Sequence, residues 1–364
     1  MTALCMFSAG AASEPEASAS AFVLYCPDNG SVLLSRAPHA KMKPASTTKL
    51  MTSLLTLEAA SKGDSLLTFT REMTAEGSSM YLKYGDKLRL SDLAVGMMMC
   101  SGNDAANAAA LTISGSFEKF AELMNSRAKR LGMADTRFVT PSGLDAEGHC
   151  SSAFDLALLM EEGLKNKAFA ELTSQKSASV SFEEPEGKRV SYRNHNRLLT
   201  LYPDCIGGKT GYTDAAGRCL VSAARRDGVT LICVTLDDRD DWNDHIRLYD
   251  YGFSRLERVR THDSSESFSL PCVGGERESV PLSCGRDLDL VIEKGRSKNI
   301  ERRVIRDCFL YAPVERGEEV GRIEYLLDGR KLGSVSLEAR ESVKRRAPRG
   351  FFERIKEWWR HGKE

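Results

Sequence analysis

Ser46 and Lys49 stand three positions apart in Ser46-Thr-Thr-Lys49, which begins two residues after Pro44. A helix turns by about 100° per residue, so a serine and a lysine at this spacing share one face of it. A serine hydroxyl is a weak nucleophile until a base removes its proton, and an amine with a lowered pKa is such a base. The pair therefore predicts an activated serine. Taken alone, the pair is more typical of a helix-capping serine followed by a solvated lysine.

Two further short motifs carry polar groups that could act on a substrate. Ser101-Gly102-Asn103 lies at a break between two apolar helical runs, which places a hydroxyl and an amide in a loop held by rigid elements. Lys209-Thr210-Gly211 precedes the strand-like run Cys219–Ala224. A cation and a hydroxyl on an edge strand can hold a carboxylate, and a glycine lets a substrate backbone approach closely. Each motif alone is also compatible with an ordinary turn.

The three motifs, in this order, form the set that characterises penicillin-binding proteins and class A β-lactamases, with Ser-Gly-Asn in place of Ser-Asp-Asn. From about residue 21 to its C-terminus, the chain resembles the low-molecular-weight penicillin-binding proteins, which are serine-type D-alanyl-D-alanine carboxypeptidases. The resemblance is carried by Pro44–Lys49, Ser101–Ala105, Gly143–Asp145 with His149, Asn196–Leu199 and Gly208–Thr213.

The resemblance implies a role for each motif residue. Ser46 would attack the carbonyl of the penultimate D-Ala and form an acyl-enzyme. Lys49 would be the general base, kept partly neutral by the nearby charge of Lys209, since like charges disfavour ionisation. Ser101 would relay a proton to the leaving D-Ala, and Asn103 would hold the substrate backbone or Lys49.

The same resemblance assigns the Lys-Thr-Gly strand to substrate binding. Lys209 and Thr210 would bind the terminal carboxylate, beside Gly211, and the backbone amides of Ser46 and Tyr212 would form the oxyanion hole. Such a donor contributes roughly 3–4 kcal/mol in comparable hydrolases. The implied partners are a peptidoglycan stem peptide ending in D-Ala-D-Ala and β-lactam antibiotics. No metal or organic cofactor is implied.

The sequence departs from the family pattern at two positions. Thr140 stands where the family often has Asn, before the stretch Pro141–Asp145. Some members use an additional Arg beyond the Lys-Thr-Gly strand for the carboxylate. Arg239 is the nearby arginine, but it lies among four aspartates, which favours a surface ion pair instead. Cys100, directly before Ser101, is expected to be a buried small residue rather than a reactive thiol.

The elements that must position these motifs indicate an α+β fold. Strand-like runs at Ala21–Cys26, Ser31–Ser35, Cys219–Ala224 and Val229–Leu236 enclose a helical middle, so an antiparallel sheet built from distant parts of the chain is expected. The resemblance implies a penicillin-binding, β-lactamase-like serine transpeptidase fold for residues 21–260. Residues 261–343, with short alternating runs and Gly-rich turns, predict a small all-β domain.

Composition excludes several functional classes. The 364 residues carry 51 Lys and Arg against 51 Asp and Glu, so no global field attracts nucleic acid. The ten cysteines and six histidines show no zinc-ligand spacing, and most thiols are expected to be unpaired. No run approaches the roughly 20 apolar residues needed to span a bilayer.

The two ends of the chain suggest export to a membrane surface. Residues 1–20 contain a short apolar run and Ala-x-Ala sites, typical of the end of a signal peptide; the alternative is a disordered leader. Residues 344–364 carry eight basic against three acidic residues, a net charge of +5 (8 − 3). Their apolar residues share one helical face, which predicts a basic amphipathic helix in the membrane interface: Phe351, Phe352, Ile355, Trp358 and Trp359.

Alternatives to these predictions remain at this stage. The tail would otherwise pack on the protein itself or in a partner groove, while its wide apolar face disfavours nucleic acid.

A serine β-lactamase would need a Glu-positioned water for deacylation, and Glu122 with Asn125 is the nearby candidate. A catalytically silent wall-binding protein of the same fold is a third reading. Biosynthetic transpeptidation is less favoured. The predicted location is the outer face of the bacterial cytoplasmic membrane.

Overall fold

The computed structural model describes residues 14–347, and the chain divides into two compact units between Leu256 and Glu257. This division falls slightly before the boundary predicted after residue 260. The first unit contains the three motifs and a large hydrophobic core. The second has a separate core of aliphatic, cysteine and tyrosine side chains.

A five-stranded antiparallel sheet organises the first unit in the order β2-β1-β9-β8-β7. The N-terminal strand β1 pairs with β9 over 200 positions later in the chain, with Val23 opposite Val234. The predicted sheet from distant segments is therefore present, and β7, which carries the Lys-Thr-Gly motif, is an edge strand. The strands are β1 Ala21–Cys26, β2 Ser31–Arg36, β7 Cys205–Thr213, β8 Gly217–Arg226 and β9 Val229–Leu236.

Helices and two short hairpins complete this unit. The hairpins pair β3 Leu66–Thr68 with β4 Lys87–Arg89, and β5 Ser177–Ser181 with β6 Arg189–Arg193. Because α1 is buried along most of its length, its residues are fixed from several sides. The helices are α1 Lys49–Lys62, α2 Leu90–Met99, α3 Asn103–Ser114, α4 Phe117–Arg130, α5 Ala153–Lys165, α6 Lys167–Ser174, α7 Leu198–Leu201 and α8 Asp241–Arg255.

The expected helix after Pro44 begins differently from the prediction. Ala45–Thr48 forms a 3-10 turn, and the α-helix begins only at Lys49. Ala45 lies in the left-handed region with φ 47°. Gly143 packs so closely that a Cβ there would lie 1.9 Å from the Ala45 carbonyl oxygen. Neighbouring backbone therefore fixes the turn, and Ser46 and Lys49 lie on either side of the junction between two helix types.

The second unit is all-β, as the sequence predicts. Its main sheet has the order β14-β16-β17-β12-β11-β15, and β10 pairs with β13. The apolar run Phe309–Val314 forms only the short strand Leu310–Tyr311, since Pro313 has no amide hydrogen to extend the pairing. The strands are β10 Leu256–His262, β11 Ser267–Val273, β12 Ser279–Cys284, β13 Leu288–Glu293, β14 Ile300–Arg306, β15 Leu310–Tyr311, β16 Glu319–Leu327 and β17 Arg330–Ala339.

The first unit begins before residue 21, where the sequence placed the end of a leader. Ala17 and Ala19 are buried, and the backbone N–H of Ser18 donates to Asp244 at 2.6 Å. The Ser18 hydroxyl donates to Asp238, also at 2.6 Å. Two buried carboxylates thus bind this segment to the start of α8, and the predicted boundary is corrected accordingly.

The outer ends of the chain lie outside the described residues. The leader prediction for residues 1–13 and the helix prediction for residues 348–364 therefore remain predictions. Within residues 14–347, no helix is long and apolar enough to cross a membrane. The nine cysteines of this part all carry free thiols.

Candidate active site

Lys49 is fully buried at the start of α1, and its amine contacts three oxygen atoms. The amine nitrogen Nζ lies 2.8 Å from the Ser46 hydroxyl, 2.7 Å from Asn103 Oδ1 and 2.6 Å from the Ser142 carbonyl oxygen. The sequence predicted the contact with Ser46. It did not predict Ser142, which reaches the site from a loop more than ninety positions later.

These contacts fit a neutral amine. The Ser142 carbonyl can only accept a hydrogen bond, and so can Asn103 Oδ1, because Asn103 Nδ2 donates to the carbonyl of Glu76 at 2.6 Å. Two N–H groups of Lys49 suffice for these two acceptors, so the neutral form of the amine could accept the hydrogen of the Ser46 hydroxyl, 2.8 Å away. Burial, followed by the positive charge of Lys209, holds the pKa of Lys49 well below its ordinary range. The sequence argument named only the second cause; desolvation is the larger.

Lys209 is the second buried cation of the site. Its amine donates to the Ser101 hydroxyl at 3.0 Å and to the Thr210 carbonyl at 2.8 Å. Burial lowers the pKa of Lys209 to about 7. Because the Ser101 oxygen accepts from Lys209, its own hydroxyl hydrogen is available to a third group. Ser101 has φ 59°, a strained value for a serine, which the loop between α2 and α3 imposes.

The edge strand β7 lies against the turn that carries Ser46. A Cβ on Gly211 would lie 3.0 Å from the Ser46 backbone nitrogen, so only glycine fits without displacing the turn. Along β7, Lys209 and Gly211 are buried, whereas Thr210 is half-buried and Tyr212 is exposed. Thr210 and Tyr212 both line the cavity that Ser46 faces. The strand therefore places the predicted carboxylate-binding hydroxyl and the predicted oxyanion amides beside one another.

An open cavity of about 510 Å³ brings the motifs together. Its volume suits the end of a peptide, and its wall combines hydroxyl groups with one ion pair and two aromatic rings. The lining residues are Ser46, Ser78, Ser101, His195, Thr210, Gly211, Tyr212, Arg218, Asp241 and Trp242. Lys49, Asn103 and Lys209 lie behind this wall; Lys49 contacts the Ser46 hydroxyl and Lys209 the Ser101 hydroxyl, while Asn103 contacts Lys49. Every predicted site residue thus belongs to one locality.

Arg218 is the functional candidate that sequence reasoning missed. It lies on β8 opposite Tyr212, so it is carried to the cavity by strand pairing rather than by closeness in sequence. The guanidinium donates to Asp241 at 2.6 Å and lies over the Trp242 ring at 5.9 Å. Arg239, the arginine weighed from the sequence, is exposed and does not line the cavity. The register Tyr212 opposite Arg218 could have been derived from a hairpin through Asp214–Gly217.

His149 positions the loop that provides the Ser142 carbonyl. Its Nδ1 accepts the backbone N–H groups of Val139 and Thr140 at 3.0 and 3.2 Å, so the ring hydrogen is on Nε2 and donates to Thr48 at 2.9 Å. Burial lowers the pKa of His149 to about 4, which keeps the ring neutral at physiological pH. His149 therefore joins the loop to α1 next to Lys49. Thr140, the atypical residue, caps the same loop by donating to the Leu144 carbonyl.

The remaining sequence candidates lie outside the chemistry. Burial raises the pKa of Cys100 to about 11, so its thiol is protonated and unreactive at neutral pH. Glu122 is exposed on α4, and Asn125 is occupied with the backbone of Phe138. Among residues 14–347, no group of His, Cys, Asp and Glu side chains is arranged to hold a metal ion.

Comparison with known proteins agrees with this geometry. Residues 8–240 match the family model for D-alanyl-D-alanine carboxypeptidase, and residues 261–345 match the model for the C-terminal domain of penicillin-binding protein 5. The chain belongs to the D-alanyl-D-alanine carboxypeptidase family. It is accordingly a serine hydrolase of the penicillin-binding type.

Individual relatives span nearly the whole chain. The carboxypeptidase DacF of Bacillus subtilis is 31% identical over 91% of this chain and 87% of its own length. DacC of Escherichia coli is 34% identical over 94% of this chain and 87% of its own length. The crystal structure of penicillin-binding protein 5 from Haemophilus influenzae superimposes with a TM-score of 0.73 at 28% identity, covering 91% of this chain and 99% of that one.

The pH dependence of acylation tests Lys49 as the base. Lys209→Met removes a positive neighbour, which stabilises the Lys49 ammonium and raises its pKa, so the acidic limb of the acylation rate should move to higher pH. Because burial is the larger cause, most of the depression should remain. The shift is measured by single-turnover acylation with benzylpenicillin from about pH 4 to about pH 9. Lys209→Arg retains the charge and should leave the limb in place. An unchanged limb in both variants would contradict the coupling.

His149→Ala tests the positioning of the Ser142 carbonyl. Without the bridge to Thr48, the loop can move away from Lys49, and the acylation rate should fall about ten- to a hundredfold. Because His149 is already neutral above about pH 4, its removal should not shift the acidic limb of the acylation rate. Measuring kcat and KM separately on a soluble D-Ala-D-Ala peptide checks this. A rise in KM with unchanged kcat would instead make His149 a substrate-binding residue.

Proposed function

We propose that the chain removes the terminal D-alanine from peptidoglycan stem peptides through an acyl-enzyme on Ser46. Ser46 Oγ attacks the carbonyl carbon of the penultimate D-Ala while its proton passes to the Lys49 amine. The resulting oxyanion is stabilised by the backbone amides of Ser46 and Tyr212. A single observation supports this assignment most: a buried lysine amine lies 2.8 Å from the serine hydroxyl, with its other hydrogens held by obligate acceptors.

The leaving group then needs a proton. As the peptide C–N bond breaks, Ser101 donates its hydroxyl hydrogen to the departing amine and is reprotonated from the Lys49 ammonium, which becomes a neutral amine again. Water next attacks the ester carbonyl and gives a proton to neutral Lys49, which returns it to Ser46 Oγ as that oxygen leaves. Atoms balance with water as the only co-reactant. Asn103 holds Lys49 in place during both steps.

The terminal carboxylate of the substrate lies against β7 in this proposal. Lys209 and the Thr210 hydroxyl bind it, and Arg218 provides a guanidinium from the neighbouring strand. Asp241 and Trp242 hold that guanidinium in the cavity wall, so little side-chain entropy is lost when the anion binds. The positive charges would favour a substrate that ends in a free carboxylate. β-Lactams, which carry a carboxylate near their reactive amide, would bind in the same way.

Intact mass spectrometry after addition of benzylpenicillin tests the proposal directly. A long-lived adduct that maps to Ser46, absent in Ser46→Ala, together with release of D-Ala from a D-Ala-D-Ala peptide, is the expected result. An adduct that disappears within seconds while the drug is consumed would identify a β-lactamase. The absence of both adduct and hydrolysis would identify a silent wall-binding protein.

Arg218→Gln tests carboxylate recognition. A hydrogen bond from a charged donor contributes about 1.5–3 kcal/mol to binding. Its loss should therefore raise KM for a D-Ala-D-Ala peptide by roughly ten- to a hundredfold. The effect should largely vanish for a peptide whose terminal carboxylate is amidated, because that peptide has no anion for Arg218 to bind. Arg239→Gln, which removes an exposed arginine from the same region, is the matched control and should behave as wild type. Equal losses on both peptides would show that Arg218 supports the fold instead.

For the location, we propose the outer face of the cytoplasmic membrane, with the basic amphipathic run of residues 350–364 as a peripheral anchor. The two Trp and two Phe residues of this run favour a bilayer interface, and its cations favour anionic headgroups. Deletion of residues 350–364 should release the protein from anionic vesicles while activity on a soluble peptide stays intact. Vesicle binding that survives the deletion would exclude this anchor.

A further inference from the structure

The second unit exposes an apolar patch on the outer face of one sheet edge. Val273, Phe309 and Tyr311 are 49%, 41% and 70% exposed, and we call these three residues the edge patch. Val273 and Tyr311 are direct partners in the parallel pairing of β11 with β15, so their side chains share one face. The Phe309 and Tyr311 rings contact edge to face, with centroids 5.1 Å apart. The three side chains therefore form one continuous surface.

The chain leaves the described structure beside this patch. The backbone N–H of Arg346 donates to the carbonyl of Gly274 at 2.8 Å, and Arg345 bridges to Gly275. On the other side of the same turn, Ala312 donates to the Val273 carbonyl at 3.0 Å. The turn at Gly274 thus has the edge patch on one side and the departing C-terminal segment on the other. The amphipathic run starts only a few residues later.

Charge favours an anionic partner at this position. Lys344, Arg345 and Arg346 are consecutive and exposed where the segment crosses the turn. Phe and Tyr side chains at the edge of a cationic segment have the composition of a bilayer-interface surface, in which rings enter the headgroup region and cations meet lipid phosphates. A protein partner groove would not need three successive exposed cations next to the rings.

We propose that the edge patch is a second membrane contact, which inserts into the interface of an anionic bilayer next to the C-terminal run. This inference rests on the proposed anchor and adds to it a folded surface of fixed geometry. Two adjacent contacts on one membrane act with a high effective local concentration, so each strengthens the other. The contact would also orient the edge β11–β15 of the second unit toward the lipid, rather than leaving the unit to swing on a tether.

Vesicle binding of a double variant, Phe309→Ser with Tyr311→Ser, tests the patch. Its partition onto vesicles of phosphatidylglycerol and phosphatidylcholine should fall about tenfold relative to wild type, with peptide hydrolysis unchanged. Val304→Ser is the matched control. Val304 is 39% exposed on β14, at the opposite edge of the same sheet, and its loss should not change binding. Equal binding by wild type and the double variant would overturn the inference.

Cys308, the exposed cysteine next to Phe309, allows an independent test on the full chain. An environment-sensitive dye on Cys308, with Cys308→Ser as the labelling control, should shift to the blue on vesicles and be quenched by brominated lipid. If the labelled protein binds vesicles while the dye stays in water, the inference fails and the anchor stands. If deletion of residues 350–364 leaves binding unchanged, the anchor fails, and the dye on the truncated protein then shows whether the patch alone inserts.

Discussion

The proposed chemistry depends on a lysine amine that has been removed from water. Burial disfavours the charged form of Lys49 and lowers its pKa, and its amine lies within hydrogen-bond distance of the Ser46 hydroxyl and of two further oxygen atoms. Three separate parts of the chain must meet to build this environment. They are the start of α1, the start of α3 at Asn103 and the loop that ends near His149. The packing of the helices around α1 is thus a requirement of the reaction as well as of stability.

The second buried lysine has a different task from the first. Lys209 lowers the pKa of Lys49 further, and its own buried amine contacts Ser101. Arg218, by contrast, is partly exposed in the cavity wall and pairs with Asp241. In the proposed reaction, Lys49 acts as the base, while Lys209 and Arg218 orient the substrate carboxylate.

The proposed location of the enzyme rests on the second unit as well as on the C-terminal run. In that proposal, the aromatic side chains of the edge patch and the neighbouring cations meet a bilayer interface. The family comparison covers this unit as well as the first, so both belong to the inherited architecture. The edge patch would then give the all-β unit a task at the membrane.

The sequence by itself indicated the reaction class, the division into an α+β part and an all-β part, and eight candidate site residues, because each motif combines a reactive side chain with a local turn or helix start. It did not determine Ser142, Arg218 or the role of His149. Ser142 contacts Lys49 across 93 positions of the chain, Arg218 reaches the cavity through the pairing register of two strands, and His149 acts through the tautomer of its ring. Nor did the sequence show which cause lowers the pKa of Lys49 most. Burial is a property of packing, and desolvation acts on a group only after distant segments have excluded its water.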